Sequence, residues 1–150
     1  MSSGDLGPVL FAYDGSDLAK LAIEEAGRQF ESGREALVLT VWRPFAVGFI
    51  PAGELQFDAA AVDQVRKAAE ETAAHGASLA QAAGFRAHSA AIEASLTWEG
   101  IARVAEDRDA SLIVLGSHGK SGLAGVFAGS VAGAVAARST RHVLIVHKRG

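Results

Sequence analysis

Between residues 111 and 138 an apolar run, a glycine-rich turn and a helical face follow one another, and this succession constrains the fold more than any other stretch. Ser111 to Leu115 reads as a buried strand. Val131, Ala134, Val135 and Arg138, spaced i, i+3, i+4 and i+7, read as one face of a helix. Between them stands Gly116-Ser-His-Gly-Lys-Ser-Gly-Leu-Ala-Gly-Val-Phe-Ala-Gly-Ser130. Glycines admit close approach of a ligand to the backbone, and the free N–H groups of a first helical turn attract anions. Ser130 adds a hydroxyl at the position an N-cap would occupy. The same composition also serves simply to pack a helix closely on a sheet.

Spacing separates the sharper readings of this turn. A phosphate loop of the form Gly-x4-Gly-Lys-Ser/Thr finds its end in Gly119-Lys120-Ser121, but Val114 stands where the first glycine belongs. The dinucleotide fingerprint Gly-x-Gly-x-x-Gly is not formed after the strand. The nucleophile elbow Gly-x-Ser-x-Gly occurs nowhere in the chain.

Further strand runs alternate with helical patterns. Strands are expected at Val9–Tyr13, Ala36–Trp42, Phe85–Ile92 and His142–Val146, besides the run ending at Leu115. One helix starts at Ser16 or Asp17 as N-cap and buries Ala19, Ala22, Ile23, Ala26 and Phe30, with Ser32-Gly33 as its end. A long one covers residues 58–83, with Val62, Val65, Ala69, Ala73, Leu79 and Ala83 inward and Gly84 as its stop. A third is capped by Ser95 or Thr97 and buries Trp98, Ile101, Val104 and Ala105. Such alternation means a parallel sheet with helical crossovers. Arg86, His88 and Ser89 interrupt the third strand and mark it as an edge. Residues 43–57 carry Pro44, Gly48, Pro51 and Gly53 with Phe45, Val47, Phe49 and Ile50, a loop that either covers a ligand or subunit contact or folds back on the next helix.

The 150 residues suit a single domain spanning 1–150, and 49% hydrophobic composition can fill its core. A net charge of -3 argues against nucleic acid as an electrostatic partner. No cysteine is present, so neither disulfides nor thiolate chemistry arise. Ser121 to Ala137 is uncharged and carries Gly125, Gly129 and Gly133 four apart, but it is too short and too weakly apolar to be a membrane span. The first residues lack the pattern of a signal peptide, so the expected location is cytoplasmic. His75, His88, His142 and His147 show no zinc-ligand spacing, and no metal site is expected.

Gly116-x2-Gly119-x9-Gly129-Ser130 resembles the ATP-binding signature of the universal stress protein family. The likeness extends to Val9-Leu-Phe-Ala-Tyr-Asp-Gly-Ser16 at one end and Arg141-His-Val-Leu-Ile-Val146 at the other. It implies a Rossmann-like α/β domain with strand order 3-2-1-4-5, binding ATP, with Mg²⁺ where a metal accompanies it, and usually dimeric. In that order the first and fourth strands are neighbours, and Asp14 and Gly116 meet at the switch point.

Residue by residue, the resemblance implies that Asp14 contacts the adenosine, that Val41 meets adenine through its backbone, and that Ala12 lines the same pocket. Gly116 and Gly119 would approach the ribose and phosphates, with Gly129, Ser130 and the Val131 N–H at the terminal phosphates. Asp14 also fits an Asx-turn cap, and His118 and Lys120 are either phosphate contacts or a solvated loop tip. Ala132 departs from the family's second hydroxyl and would remove one side-chain donor.

The resulting expectation is a nucleotide-binding regulatory module with a protein partner of unspecified identity, slow or inactive as an ATPase, with no catalytic residues assigned. The alternative is a dimeric interaction protein that has lost nucleotide. Enzymes on similar folds are disfavoured, since neither Ser-Gly-Gly-x-Asp-Ser nor His-x-Gly-His is present. The last strand, Val143 to Val146, is apolar and would form an edge open to a second copy.

Overall fold

The computed structural model describes residues 6–43, 59–118 and 130–148. Strands and helices alternate as β1 (Val9–Ala12), α1 (Asp17–Gln29), β2 (Glu35–Trp42), α2 (Ala59–Ala82), β3 (Arg86–Glu93), α3 (Thr97–Asp107), β4 (Leu112–Gly116), α4 (Ser130–Arg138) and β5 (His142–Val146). The strands pair in the order β3-β2-β1-β4-β5, and every pairing is parallel. This is the architecture expected from the alternation and the resemblance.

Side chains leave a strand on alternate faces, and here that parity sorts the core into two halves. Val9, Phe11, Tyr13, Ala36, Val38, Val114 and Val146 face one way, onto Ala19, Ala22, Ile23 and Ala26 of α1 and Ala77 and Ala80 of α2. Leu10, Leu37, Leu39, Ile113 and Leu115 face the other, onto Ile101 and Ala105 of α3 and Ala132 and Val135 of α4. Helices thus cover both faces of the sheet. Phe11 meets Phe85 edge-on at 5.2 Å between ring centroids, a geometry that adds about 0.5–1.5 kcal/mol beyond burial.

Helix ends follow local chemistry. Ser16 is the N-cap of α1, its Oγ accepting from the Ala19 N–H at 3.2 Å, and Asp17 places a carboxylate in the first turn. The helix ends earlier than Ser32-Gly33, with Phe30 as C-cap. For α3 the cap is Leu96, with no side-chain hydrogen bond, rather than Ser95 or Thr97. Thr97 instead receives a long hydrogen bond from Arg43 Nη2 at 3.4 Å.

Two helix faces differ from the expected stripes. In α2 the buried residues are Ala69, Ala73, Gly76, Ala77 and Ala80, while Val62 and Val65 are only half-buried. The smallest residues face the sheet because α2 approaches it closely: a Cβ on Gly76 would lie 2.7 Å from Tyr13 Cδ2 and 2.7 Å from Val38 Cγ1. In α4 the buried face is Ala132 and Val135, and Arg138 is exposed, its guanidinium 5.1 Å from the Trp98 ring centroid. A cation over an aromatic face is attracted by the ring quadrupole, so the last turn of α4 is tied to α3.

β3 and β5 are the sheet edges. Arg86, His88, Ser89 and Glu93 are exposed on β3, in keeping with a guarded edge. Val143, Leu144 and Ile145 on β5 are half-buried. Among the described residues no helix is long and apolar enough to cross a membrane.

The close approach of α2 sets a test. Gly76→Val gains helix propensity but forces Tyr13 or Val38 to move, and overpacking of this kind costs about 1–3 kcal/mol. Urea denaturation is expected to show a lower midpoint with an unchanged slope. A Gly76→Val protein as stable as its parent contradicts the tight α2–sheet contact.

Candidate functional site

The ladders of the sheet end at different heights around β1 and β4. The β1–β4 ladder ends at Phe11↔Val114. Its neighbours run further toward the carboxyl ends: β1–β2 continues to Ala12↔Leu39, and β4–β5 to Gly116↔Val146. Beyond Phe11 and Val114 the chain of β1 stays with β2, while that of β4 stays with β5. Tyr13 N–H donates to Leu39 O at 2.9 Å, and Ser117 N–H donates to Val146 O at 2.9 Å. The pairing of the two central strands therefore stops at the switch point of the sheet, the place where ligands enter open α/β sheets.

The first wall is held by side chains as well as backbone. Thr40 is buried and its hydroxyl donates to Tyr13 O at 2.9 Å, pinning the residue just before Asp14. Asp14 is exposed, and its Oδ1 accepts from the Ser16 N–H at 2.9 Å, so the Asx-turn reading holds. Gly15, with φ of 81°, allows this turn to reach α1 at once. Val41 stands past the end of the β1–β2 ladder, half-buried near the carboxyl end of β2. Ala12 is the last residue of β1 and also half-buried.

Gly116 ends β4 with a packing requirement of its own. A Cβ there would lie 2.8 Å from Leu18 Cγ on α1. The close-packing explanation of this glycine is thus physically sufficient. Ser117 is buried, and its Oγ lies 3.2 Å from His118 Nδ1. Neighbouring positions in sequence do not foretell such a bond, and Ser117 was not among the expected site residues. The lone hydroxyl within the apolar run of β2, Thr40, was the more readable signal.

Val131 lies in the first turn of α4, half-buried. Ala132 is 1% exposed and packs with Val135, Ile113 and Leu115. Its Cβ belongs to the core between α4 and the sheet. Ser130 opens α4. Gly119, Lys120 and Gly129 lie outside the described residues, as does the loop expected at residues 44–57. Among the described residues no cluster of three His, Asp or Glu side chains has the arrangement to hold a metal ion.

The five-stranded parallel sheet, its order and its switch point define a Rossmann-like α/β protein. The chain belongs to the universal stress protein family, whose sequence profile matches residues 6–147. Its fold is similar to that of MJ0577, solved as a test case of structural genomics, with TM-score 0.81, 22% identity, and coverage of 96% of this chain and 97% of that one. It is also similar to a universal stress protein solved in complex with cAMP, with TM-score 0.59, 25% identity and coverage of 95% and 97%. A third is a universal stress protein from Archaeoglobus fulgidus solved in complex with dAMP, with TM-score 0.59, 22% identity and coverage of 93% and 96%. No curated protein sequence matches the chain.

Tyr13 gives this wall a spectroscopic handle. Its hydroxyl lies 3.1 Å from His75 Nδ1 on α2. Burial first, and the negative charge of Asp14 second, raise its pKa above the ordinary 10.0. The folded state thus favours the neutral phenol, a contribution fully present below the unfolded pKa and lost as pH rises through the folded one. Tyr13 is the single tyrosine of the chain, so near-ultraviolet tyrosinate absorbance reports it alone. Its titration midpoint is expected above 10.0 in the native protein and lower in denaturant. Coincident midpoints contradict the packing of the ring beneath α2.

Proposed function

We propose that the protein binds ATP, with Mg²⁺ as its counter-ion, in the crevice between β1 and β4, and acts as a regulatory module that couples nucleotide occupancy to a protein partner. The end of the β1–β4 pairing at Phe11 and Val114 carries this reading, because it puts Asp14 and Gly116 at the carboxyl ends of adjacent strands at the switch point. The glycine spacing Gly116-x2-Gly119-x9-Gly129-Ser130 supports it, as do relatives solved with cAMP and dAMP. Asp14 and Val41 take the adenosine end, with Ala12 lining it. Gly116, Gly119, Gly129, Ser130, His118 and Val131 serve the ribose and phosphates, the last through its backbone N–H.

The same chain makes a poor hydrolase. Turnover requires a positioned water and stabilisation of charge at the transferring phosphoryl group. From Gly116 to Ser130 there is neither a glutamine nor a carboxylate to orient that water. The site is a binding site in a cytoplasmic, single-domain protein, and the nucleotide persists as the signal.

Mass spectrometry of small molecules released from the purified protein by heat is expected to find ATP rather than ADP. Calorimetry with MgATP is expected to show saturable binding, weakened at least tenfold by Gly129→Val, a loss equal to about 1.4 kcal/mol. An unchanged affinity in folded Gly129→Val removes the glycine turn from the site. Release of no nucleotide, with no binding of added MgATP, overturns the function in favour of a nucleotide-free interaction protein.

The module is a two-fold homodimer through β5. Val143 to Val146 form an apolar, largely β-branched edge, and an unpaired edge invites another strand. Antiparallel pairing of two β5 strands closes the contact with a self-complementary axis. Light scattering is expected to give twice the monomer mass at micromolar concentration. A monomer under those conditions leaves Arg141, Lys148 and Arg149 as the guards of that edge and ends the dimer.

A further inference from the structure

We infer that Ser117 is a positioning residue that sets the tautomer of His118, so that the ring presents an Nε2–H donor to a phosphate oxygen of the bound nucleotide. The inference rests on the ATP-binding reading above and adds a specific donor to it.

The argument begins with a buried hydroxyl. Ser117 is 4% exposed and directly follows the last pair of β4, its own N–H held by Val146 O at 2.9 Å. The backbone on which Oγ is mounted is thus anchored by the edge strand. Among the described residues, His118 Nδ1 at 3.2 Å is the one hydrogen-bond partner of Ser117 Oγ. A hydroxyl carries one proton to donate, and a neutral imidazole carries one N–H and one bare nitrogen.

Two arrangements satisfy that contact, and they are not equivalent. If His118 Nδ1–H donates to the serine, the hydroxyl proton is left buried without an acceptor among the described residues, which is costly. If the serine donates to a bare Nδ1, its proton is satisfied and the imidazole proton must sit on Nε2. The hydrogen bond made by one ring nitrogen decides the state of the other. Ser117 therefore selects the Nε2–H form.

His118 is half-buried, whereas Ser117 beside it is enclosed. The residue stands at the carboxyl end of β4, on the side of the crevice opposite Asp14. A ring whose Nδ1 is occupied from beneath has its Nε2–H left for a ligand. A neutral N–H donor suits a phosphate oxygen and adds no charge that a nucleotide-free protein would have to solvate. Glutamine at this position retains an amide N–H donor, whereas alanine removes it.

Two measurements test the assignment. Long-range 1H–15N correlation spectra in alkaline buffer, where imidazole is neutral, are expected to show His118 with its proton on Nε2 in the unmodified protein and a mixture of tautomers in Ser117→Ala. Calorimetry with MgATP is expected to show about a tenfold loss of affinity for His118→Ala, a smaller loss for Ser117→Ala, and partial recovery in His118→Gln. In the His118→Gln background, Ser117→Ala is expected to cost nothing further, because the serine acts through the ring. A merely structural serine would lower affinity equally in both backgrounds. An Nδ1–H tautomer in the unmodified protein overturns the inference, and so does full ATP affinity in His118→Ala, with ATP binding itself intact. Absence of MgATP binding by the unmodified protein overturns this inference and the proposed function together.

Discussion

Everything in this fold leans on a strand of four residues. β1 is central, paired with β2 on one side and β4 on the other, and Val9, Leu10 and Phe11 are 0%, 0% and 1% exposed. Its alternating side chains belong to two different cores, Val9 and Phe11 to the one under α1 and α2, Leu10 to the one under α3 and α4. A shift of one residue in register would exchange these sets. Because β1 is so short, its partners outlast it, and the β1–β4 pairing stops short of the pairings beside it. The place where the sheet stops being continuous is thus determined by where its central strand ends.

Small residues determine how near the helices come. Gly76 lets α2 rest on Tyr13 and Val38, Gly116 lets β4 rest against Leu18, and a Cβ on Gly100 of α3 would stand 3.0 Å from Ala94 Cβ and 3.1 Å from Val41 Cγ1. Each contact lies toward the carboxyl end of the sheet, at or near the crevice wall. Tight packing there holds Tyr13, Val41 and Gly116 on a rigid frame, and a binding site gains when the backbone that forms it has little freedom left to lose. The glycines of the frame and those of the expected phosphate turn look alike in sequence. Gly116 is explained by the first kind of requirement even before the second is considered.

The order of elements and the sheet were legible because burial on both faces leaves unbroken apolar runs, such as Ala36 to Leu39, that no surface segment would carry. The edge at β3 was legible from Arg86, His88 and Ser89. Helix faces were less so. In an alanine-rich helix such as α2, periodicity ranks the larger side chains, Val62 and Val65, above the small ones that the close contact actually selects. Placement of Asp14, Val41 and Gly116 near one end of the sheet followed from the strand order, which the resemblance supplied. Ser117 was not legible: a hydrogen bond between adjacent residues depends on χ angles and burial, and neither has a sequence pattern.

The chemistry available at the crevice is mainly that of the backbone. The first turn of α4 offers N–H groups, and such donors bind anions without needing to be ionised. Side chains enter as adjustments: Asp14 is partly occupied with its own turn, Thr40 holds the chain that carries it, and Ser117 is engaged with His118. On the proposed reading, such a site would recognise the shape and charge of a polyphosphate with few groups whose protonation changes during a reaction. General acid–base chemistry depends on just such groups, matched in pKa to the working pH. The pKa of Tyr13 is moved upward by burial, away from neutrality, and its hydroxyl is engaged with His75. On the proposed reading, any fast reaction of a bound nucleotide would have to borrow its catalytic group from a partner.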